Sequence, residues 1–222
     1  WASCMVSCGD ADGVVTGNTR RYGASLEKIT KVIDSRPGEI MFGLNMIVNK
    51  GKTVFVGDTS VHEYPSSEQL AEIAISSARV VRLFGFNPKV AFVSHSTFGQ
   101  PLTSRTKHIK NAVNILKERN VDFKFDGDMQ PDVALNDEYK ELYPFSEIVG
   151  NANILIMPGQ HSAAISYKMM RELGGAKVIG PLLIGLGQPI EIAPLRSSTS
   201  DILNLASVAA YSAGVISYNK KN

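Results

Sequence analysis

Residues 153–185 constrain the fold of this chain more than any other stretch. Positions 153–157 form a short unbroken apolar run, the pattern of a strand buried on both faces. A polar turn, Pro158-Gly-Gln-His-Ser162, comes next, then an amphipathic helix over 163–173 and a second apolar run at 178–184. Two buried strands joined by a crossover helix pair in parallel, with the helix on one face of the sheet. The same alternation continues upstream, with strands predicted at 89–94 and 123–126 and helices at 66–84, 103–119 and 133–143. The chain is therefore predicted to be an α/β protein with a largely parallel sheet. Residues 40–48 and 53–56 are β-rich runs joined by Asn49-Lys-Gly-Lys52, a hairpin signal that adds antiparallel pairing. Residues 10–16 read as a short strand or turn, 23–33 as a helix, 189–193 as extended, 199–213 as a last helix, and 219–222 as a polar tail expected to fray.

Hydrophobic residues make up 44% of the 222 positions and charged residues 20%, the composition of a folded globular chain. A net charge of +2 offers no electrostatic reason to expect a nucleic acid or a membrane surface as partner. No apolar run approaches the ~20 residues that span a bilayer. Cys4 and Cys8 stand at helical spacing with no second Cys or His pair to complete a metal site, so they read as reduced packing thiols of a cytoplasmic protein. Residues 1–9 read as the last turns of a helix closing at Gly9, and the chain is expected to be a fragment of a longer polypeptide.

Four polar turns fall at predicted strand ends, where open α/β sheets hold their ligands. Ser94-His-Ser-Thr-Phe-Gly99 offers small hydroxyls and a glycine that can cradle phosphate, or simply cap a helix. Asp126-Gly-Asp-Met-Gln-Pro-Asp132 carries three carboxylates in seven residues without an EF-hand pattern, so a substrate-facing loop with Gln130 as donor is expected rather than a metal site. Gln160, His161 and Ser162 crown the strand at 153–157, where His161 reads as a base, an anion partner or part of a plain helix cap; no carboxylate is near it in sequence. In the fourth turn Arg196 can pair with phosphate or carboxylate, while Ser198 and Asp201 have capping-box spacing. His62 and His108 read as solvated, and the basic face Arg105, Lys107, Lys110, Lys117 as a solvated helix face.

Taken together, several segments resemble the phosphate acetyl/butyryl transferase family. They are Gly9-Asp-Ala-Asp-Gly-Val-Val-Thr-Gly17, Asp58-Thr-Ser-Val-His-Glu63, Glu68-Gln-Leu-Ala-Glu-Ile-Ala-Ile75, the turns at 94–99 and 126–130, Ile179-Gly-Pro181 and Asp201-Ile-Leu-Asn204. Asp132-Val-Ala-Leu-Asn136, Tyr143-Pro-Phe145 and His161-Ser-Ala163 resemble one branch, the C-terminal transacetylase-like domain of bacterial NADP-dependent malic enzymes. The resemblance implies a two-lobed, isopropylmalate dehydrogenase-like (phosphotransacetylase-type) fold with an interlobe cleft. One lobe would hold 1–65 plus 194–222 and the other 66–193. It implies ligand contacts at Thr16, Gly17, Ser94, Ser96, Thr97, Gly99, Gln130, His161, Ser162, Gly180, Pro181 and Ser198. It also implies a homo-oligomer, dimer or higher, and a missing N-terminal malic enzyme domain that would hold NADP and a divalent metal.

In the family a carboxylate deprotonates the thiol of coenzyme A, and a neighbouring Ser and Arg stabilise the developing charge. The carboxylate matches Asp201. The Ser-Arg pair falls on Pro194-Leu195, and Arg196 replaces it only if the loop slips by one residue. Two other family Asn positions fall on His161 and Ala164, and a helix Arg falls near Glu27. The expectation is a regulatory domain that binds acetyl-CoA or acetyl phosphate with no cofactor or metal of its own. The alternative is an active acyltransferase that uses Arg196 and Asp201.

Overall fold

The computed structural model describes residues 1–221; the side chains of Arg105 and of 216–221, and all of residue 222, lie outside the described residues. The chain divides into two compact units, Trp1–Asn45 with Ile179–Asn222, and Met46–Val178. Six strands form a mixed sheet in the order β5-β4-β6-β3-β2-β7. They are β2 (Phe42–Asn49), β3 (Lys52–Gly57), β4 (Lys89–Val93), β5 (Lys124–Met129), β6 (Ile154–Ile156) and β7 (Lys177–Ile184). A separate two-stranded sheet pairs β1 (Val14–Gly17) with β8 (Ile190–Ala193) in parallel. The expected hairpin is β2–β3: Lys50 (φ 47°) and Gly51 (φ 78°) form its two-residue turn, both in the left-handed region that such a turn requires.

In the unit Met46–Val178, β3, β6, β4 and β5 run parallel. Alternate side chains enter opposite faces. Val56, Ala91, Val93, Leu155 and Met157 pack with Val133, Ala134, Ala163 and Tyr167, from α5 (Pro131–Leu135) and α6 (Gln160–Gly174). The opposite face carries Phe55, Val90, Phe92, Ile154 and Ile156, all fully buried, with α3 (Ser67–Leu83) and α4 (Ser104–Glu118) over it. Burying each such side chain contributes about 1.5–3 kcal/mol. α3 starts with the expected capping box: Ser66 accepts from Gln69 N–H at 3.1 Å, and Ser66 N–H donates to the Gln69 side chain at 2.7 Å.

Three boundaries differ from expectation. The helix expected over 133–143 is α5 plus a 3-10 turn, Asp137–Tyr139. Asn136 divides them because its side chain accepts from Glu138 N–H at 3.1 Å, a local bond that competes with helix. The polar turn expected at 127–131 is strand through Met129. Gly127 (φ 149°) lets β5 pass so close to β4 that a Cβ there would lie 2.8 Å from Phe92 Cβ. The last helix, α7 (Thr199–Lys221), runs well past 213. A single Gly at 214 costs a helix about 1 kcal/mol, which a long helix absorbs. The tail expected to fray at 219–222 falls among residues whose side chains are not described.

The other unit packs β1 and β8 against α1 (Ala2–Cys8), α2 (Tyr22–Ile29) and α7. Gly9 closes α1 with φ 84°, as its left-handed cap requires. Cys4 and Cys8 are free, but both are exposed rather than packed, because α1 buries Val6 instead. A groove of about 350 Å³ runs along this unit between 12–15 and the alanines Ala206, Ala209, Ala210 and Ala213 of α7. Among the described residues, no helix is long and apolar enough to cross a membrane.

Candidate functional site

The parallel register brings two sets of polar turns to carboxyl strand ends, one in each unit. In the unit Met46–Val178, β4 and β5 end beside each other, and their loops converge on Asp128, which is 1% exposed. Its carboxylate accepts from the Ser96 hydroxyl and from Gly99 N–H at 3.0 Å. Ser96 is in turn 3.1 Å from the Ser94 hydroxyl, and Gln130 N–H donates to Thr97 Oγ1 at 3.3 Å. The structure thus brings Ser94, Ser96, Thr97, Gly99 and Gln130 together around a buried carboxylate. Two donors that could cradle a phosphate, the Ser96 hydroxyl and the Gly99 amide, already point at Asp128.

The neighbouring strand ends, β3 and β6, carry a second cluster. Asp58 is fully buried and accepts from Ser60, Val61 and His62 N–H at 2.8, 3.1 and 2.7 Å. It also lies 2.7 Å from His62 Nδ1. His62 is therefore half-buried and oriented by a carboxylate, not solvated as its sequence setting suggests. His108 is likewise engaged, with Nδ1 3.0 Å from Ser67 Oγ and Nε2 2.8 Å from Pro65 O. His161 has a carboxylate partner after all, Glu63 at 3.2 Å, and its ring stacks on Tyr64. Glu63 is distant in sequence, and only the pairing of β3 with β6 brings the two loops together. Ser162 spends its hydroxyl on Gly159 O at 2.8 Å. His95 is exposed, as are Lys107, Lys110 and Lys117 on α4; the Arg105 side chain lies outside the described residues.

In the other unit, β1 and β8 end in register at Gly17 and Ala193. Gly17 has φ 108°, and a Cβ there would sit 2.3 Å from Ala193 O, so only glycine fits beside Thr16 at this edge. The chain then turns through Asn18 (φ 61°) and Arg196 (φ 62°), two non-glycine residues in the left-handed region. Arg196 N–H donates to Asn18 O at 3.4 Å. Ser198 and Asp201 form the reciprocal cap of α7: Asp201 Oδ2 accepts from Ser198 N–H at 2.9 Å and from its hydroxyl at 2.8 Å. Asp201 N–H donates back to Ser198 Oγ at 3.2 Å. Thr16, Gly17, Arg196, Ser198 and Asp201 thus share one end of this unit. Gly180 and Pro181 lie inside β7; Pro181 is buried, and Gly180 runs tight against Leu44 O and Asn45 Oδ1 of β2. Among the described residues, no group of three or more His, Cys, Asp or Glu could hold a metal ion.

Asp58, His62, Glu63, Asp128 and Asn18 were not identified as site residues from sequence. Asp58, His62, Glu63 and Asp128 fall in segments that resemble the family, but no local pattern marks them as partners of one another; Asn18 only follows a predicted strand, a signal common to most turns.

Similarity to known proteins follows the same geometry. The chain is 49% identical over 214 residues to an NADP-dependent malic enzyme of Rhizobium meliloti, a match that covers 96% of this chain and 28% of that relative. A probable NADP-dependent malic enzyme of Rickettsia prowazekii is 38% identical, covering 96% of the chain and 29% of the relative. The chain therefore spans under a third of the length of these relatives. Among solved structures, a phosphotransacetylase from Streptococcus pyogenes superposes with a TM-score of 0.90 at 30% identity, covering 95% of this chain and 65% of that one. The family model described as phosphate acetyl/butaryl transferase matches residues 1–210. With nearly its whole length matched, the chain belongs to the phosphate acetyl/butaryl transferase family.

Proposed function

We propose that this chain is a ligand-binding, regulatory domain of a larger NADP-dependent malic enzyme, and that its ligand is acetyl-CoA or acetyl phosphate. The observation that carries this reading is the state of Asp201. Asp201, which matches the family's base, holds two bonds from Ser198 in the cap of α7. The two positions where the family's Ser-Arg pair would fall are Pro194 and Leu195, which have no hydroxyl and no guanidinium. Losing one preorganised donor at a transition state typically costs about 3 kcal/mol, and losing two leaves little transfer chemistry. Binding does not need that pair.

In this reading the ligand biases the catalysis of the larger protein through a coupling of ~1–3 kcal/mol, and the domain contributes to a cytoplasmic homo-oligomer. NADP and a divalent metal belong to the rest of the polypeptide. Titration calorimetry with acetyl-CoA and acetyl phosphate tests the proposal; heat from at least one is expected, and silence up to about millimolar ligand rejects it. A second reading, an active acyltransferase, is favoured by the 0.90 TM-score against a phosphotransacetylase. A coupled assay with coenzyme A and acetyl phosphate separates the two, and turnover at about 1 per second or faster would establish the transferase.

A further inference from the structure

We propose that His62 is a general base with which this chain hydrolyses an activated acyl group, that of an acyl phosphate or an acyl thioester. This adds a reaction to the reading above and rests on the ligand named there. Asp58 directly follows the carboxyl end of β3 and is fully buried. Its Oδ1 accepts from Ser60 and Val61 N–H, and its Oδ2 from His62 N–H. Both oxygens are therefore acceptors, so in the 2.7 Å contact between Oδ2 and His62 Nδ1 the imidazole donates. That fixes the tautomer of the neutral ring: Nδ1 carries the proton, and Nε2 keeps a lone pair. Among the described residues no hydrogen bond or ion pair engages Nε2. The side chain is 18% exposed, which leaves the ring open to a small molecule.

No other described histidine combines these features. His108 uses both ring nitrogens, on Ser67 Oγ and Pro65 O. His161 faces Glu63 at 3.2 Å, but both side chains are largely exposed, a setting that holds an ion pair weakly. His95 is exposed and has no carboxylate partner among the described residues. The three backbone bonds to Asp58 already brace the turn, and any residue at 62 would supply its N–H, so the imidazole is not needed for that. The turn is also anchored from outside: Gln160 N–H donates to His62 O at 3.1 Å, and a Cβ on Gly159 would lie 2.4 Å from Glu63 O. In the same turn Ser60 Oγ is buried without a partner among the described residues, which leaves a hydroxyl donor unspent. A buried carboxylate, an imidazole held by it and a free ring nitrogen are the parts of a general base. In the reaction Nε2 takes a proton from water as the water oxygen bonds to the acyl carbon. The C–O bond to phosphate or the C–S bond to the thiol then breaks, and the leaving group takes the proton from Nε2. The products are a carboxylic acid and either phosphate or a free thiol, and water is the only other reactant.

Release of phosphate from acetyl phosphate and of thiol from acetyl-CoA, measured on the whole chain with water as the sole acyl acceptor, tests this step. The activated ester p-nitrophenyl acetate serves as a probe that needs no ligand site. The variants are H62Q, which removes the base, and D58N, which weakens its orientation. Thermal unfolding confirms that each folds like the parent, and H62Q decides alone if D58N does not fold. A positioned base typically contributes about 10²–10⁴-fold, so H62Q should lose roughly a hundredfold or more in turnover. Its calorimetric affinity for the acyl ligand should remain that of the parent, a split that a merely structural role of His62 would not give. Turnover by D58N should fall between the two. The substrate whose hydrolysis depends on His62 identifies the acyl phosphate or the thioester. Binding of an acyl ligand with no hydrolysis above the buffer rate overturns the proposal and leaves the regulatory reading intact, as does parent-like hydrolysis by folded H62Q or D58N. His62-dependent cleavage of p-nitrophenyl acetate with no binding of either acyl ligand keeps the base and removes the regulatory reading. Neither binding nor hydrolysis by the parent removes both.

Discussion

Glu191 makes the stability of this domain depend on pH in a way that can be worked out from its surroundings. It sits on β8, 4% exposed, with Oε2 accepting from Leu183 N–H at 2.9 Å. Burial pushes its carboxyl from the ordinary 4.5 up to about 8, against the lowering effect of that N–H. In the unfolded chain the group returns to the ordinary value. Below about pH 4.5 it is protonated in both states and does not penalise folding. As pH rises above that, the unfolded chain releases its proton while the folded chain keeps it. Stability is then lost at up to about 1.36 kcal/mol per pH unit, until the folded carboxyl ionises near pH 8. Between about pH 5 and pH 8.5 the loss from this one group is on the order of 4 kcal/mol. Glu191→Gln removes the proton while keeping an oxygen for Leu183. Urea unfolding of both proteins across this range, compared pH by pH, cancels every other titrating group. The curves should approach each other near pH 5 and separate by several kcal/mol in favour of Gln at pH 8.5. A difference that stays constant with pH would mean that burial does not raise this carboxyl, and the argument would fail.

Two other substitutions test the geometry of the strand ends. Asp128→Ala strands the Ser96 hydroxyl and Gly99 N–H in a buried site, and should cost about 2–4 kcal/mol in urea unfolding, with Asp128→Asn in between. Equal stability for both variants would show that the network around Asp128 is not what holds these loops. Gly17→Ala places a Cβ 2.3 Å from Ala193 O at φ 108° and should lower the thermal midpoint by several degrees, roughly 2 kcal/mol or more. An unshifted midpoint would contradict the close approach of β1 and β8.

How far the sequence could be read depended on the range of each interaction. The capping boxes at Ser66 and Ser198, the hairpin turn at Lys50-Gly51 and the left-handed cap at Gly9 all involve neighbours within a few residues, and each is present. The positions of the buried strands along the chain were legible because a strand covered on both faces is apolar along its whole length. The 3-10 break at Asn136 and the strand character of 127–129 were not legible. Each depends on a competing local bond or on a close approach of another strand.

The sequence by itself determined which segments would be strands and helices, where most of them begin, and that polar turns would follow the strands. Those outcomes depend on periodicity and on the conformational limits of single residues. Only the tertiary structure decided which turns meet: Glu63 beside His161, Asp128 among the serines, and Arg196 against Asn18. These pairs are set by strand order and register, which arise from packing across the whole sheet, and no local pattern of residues encodes them.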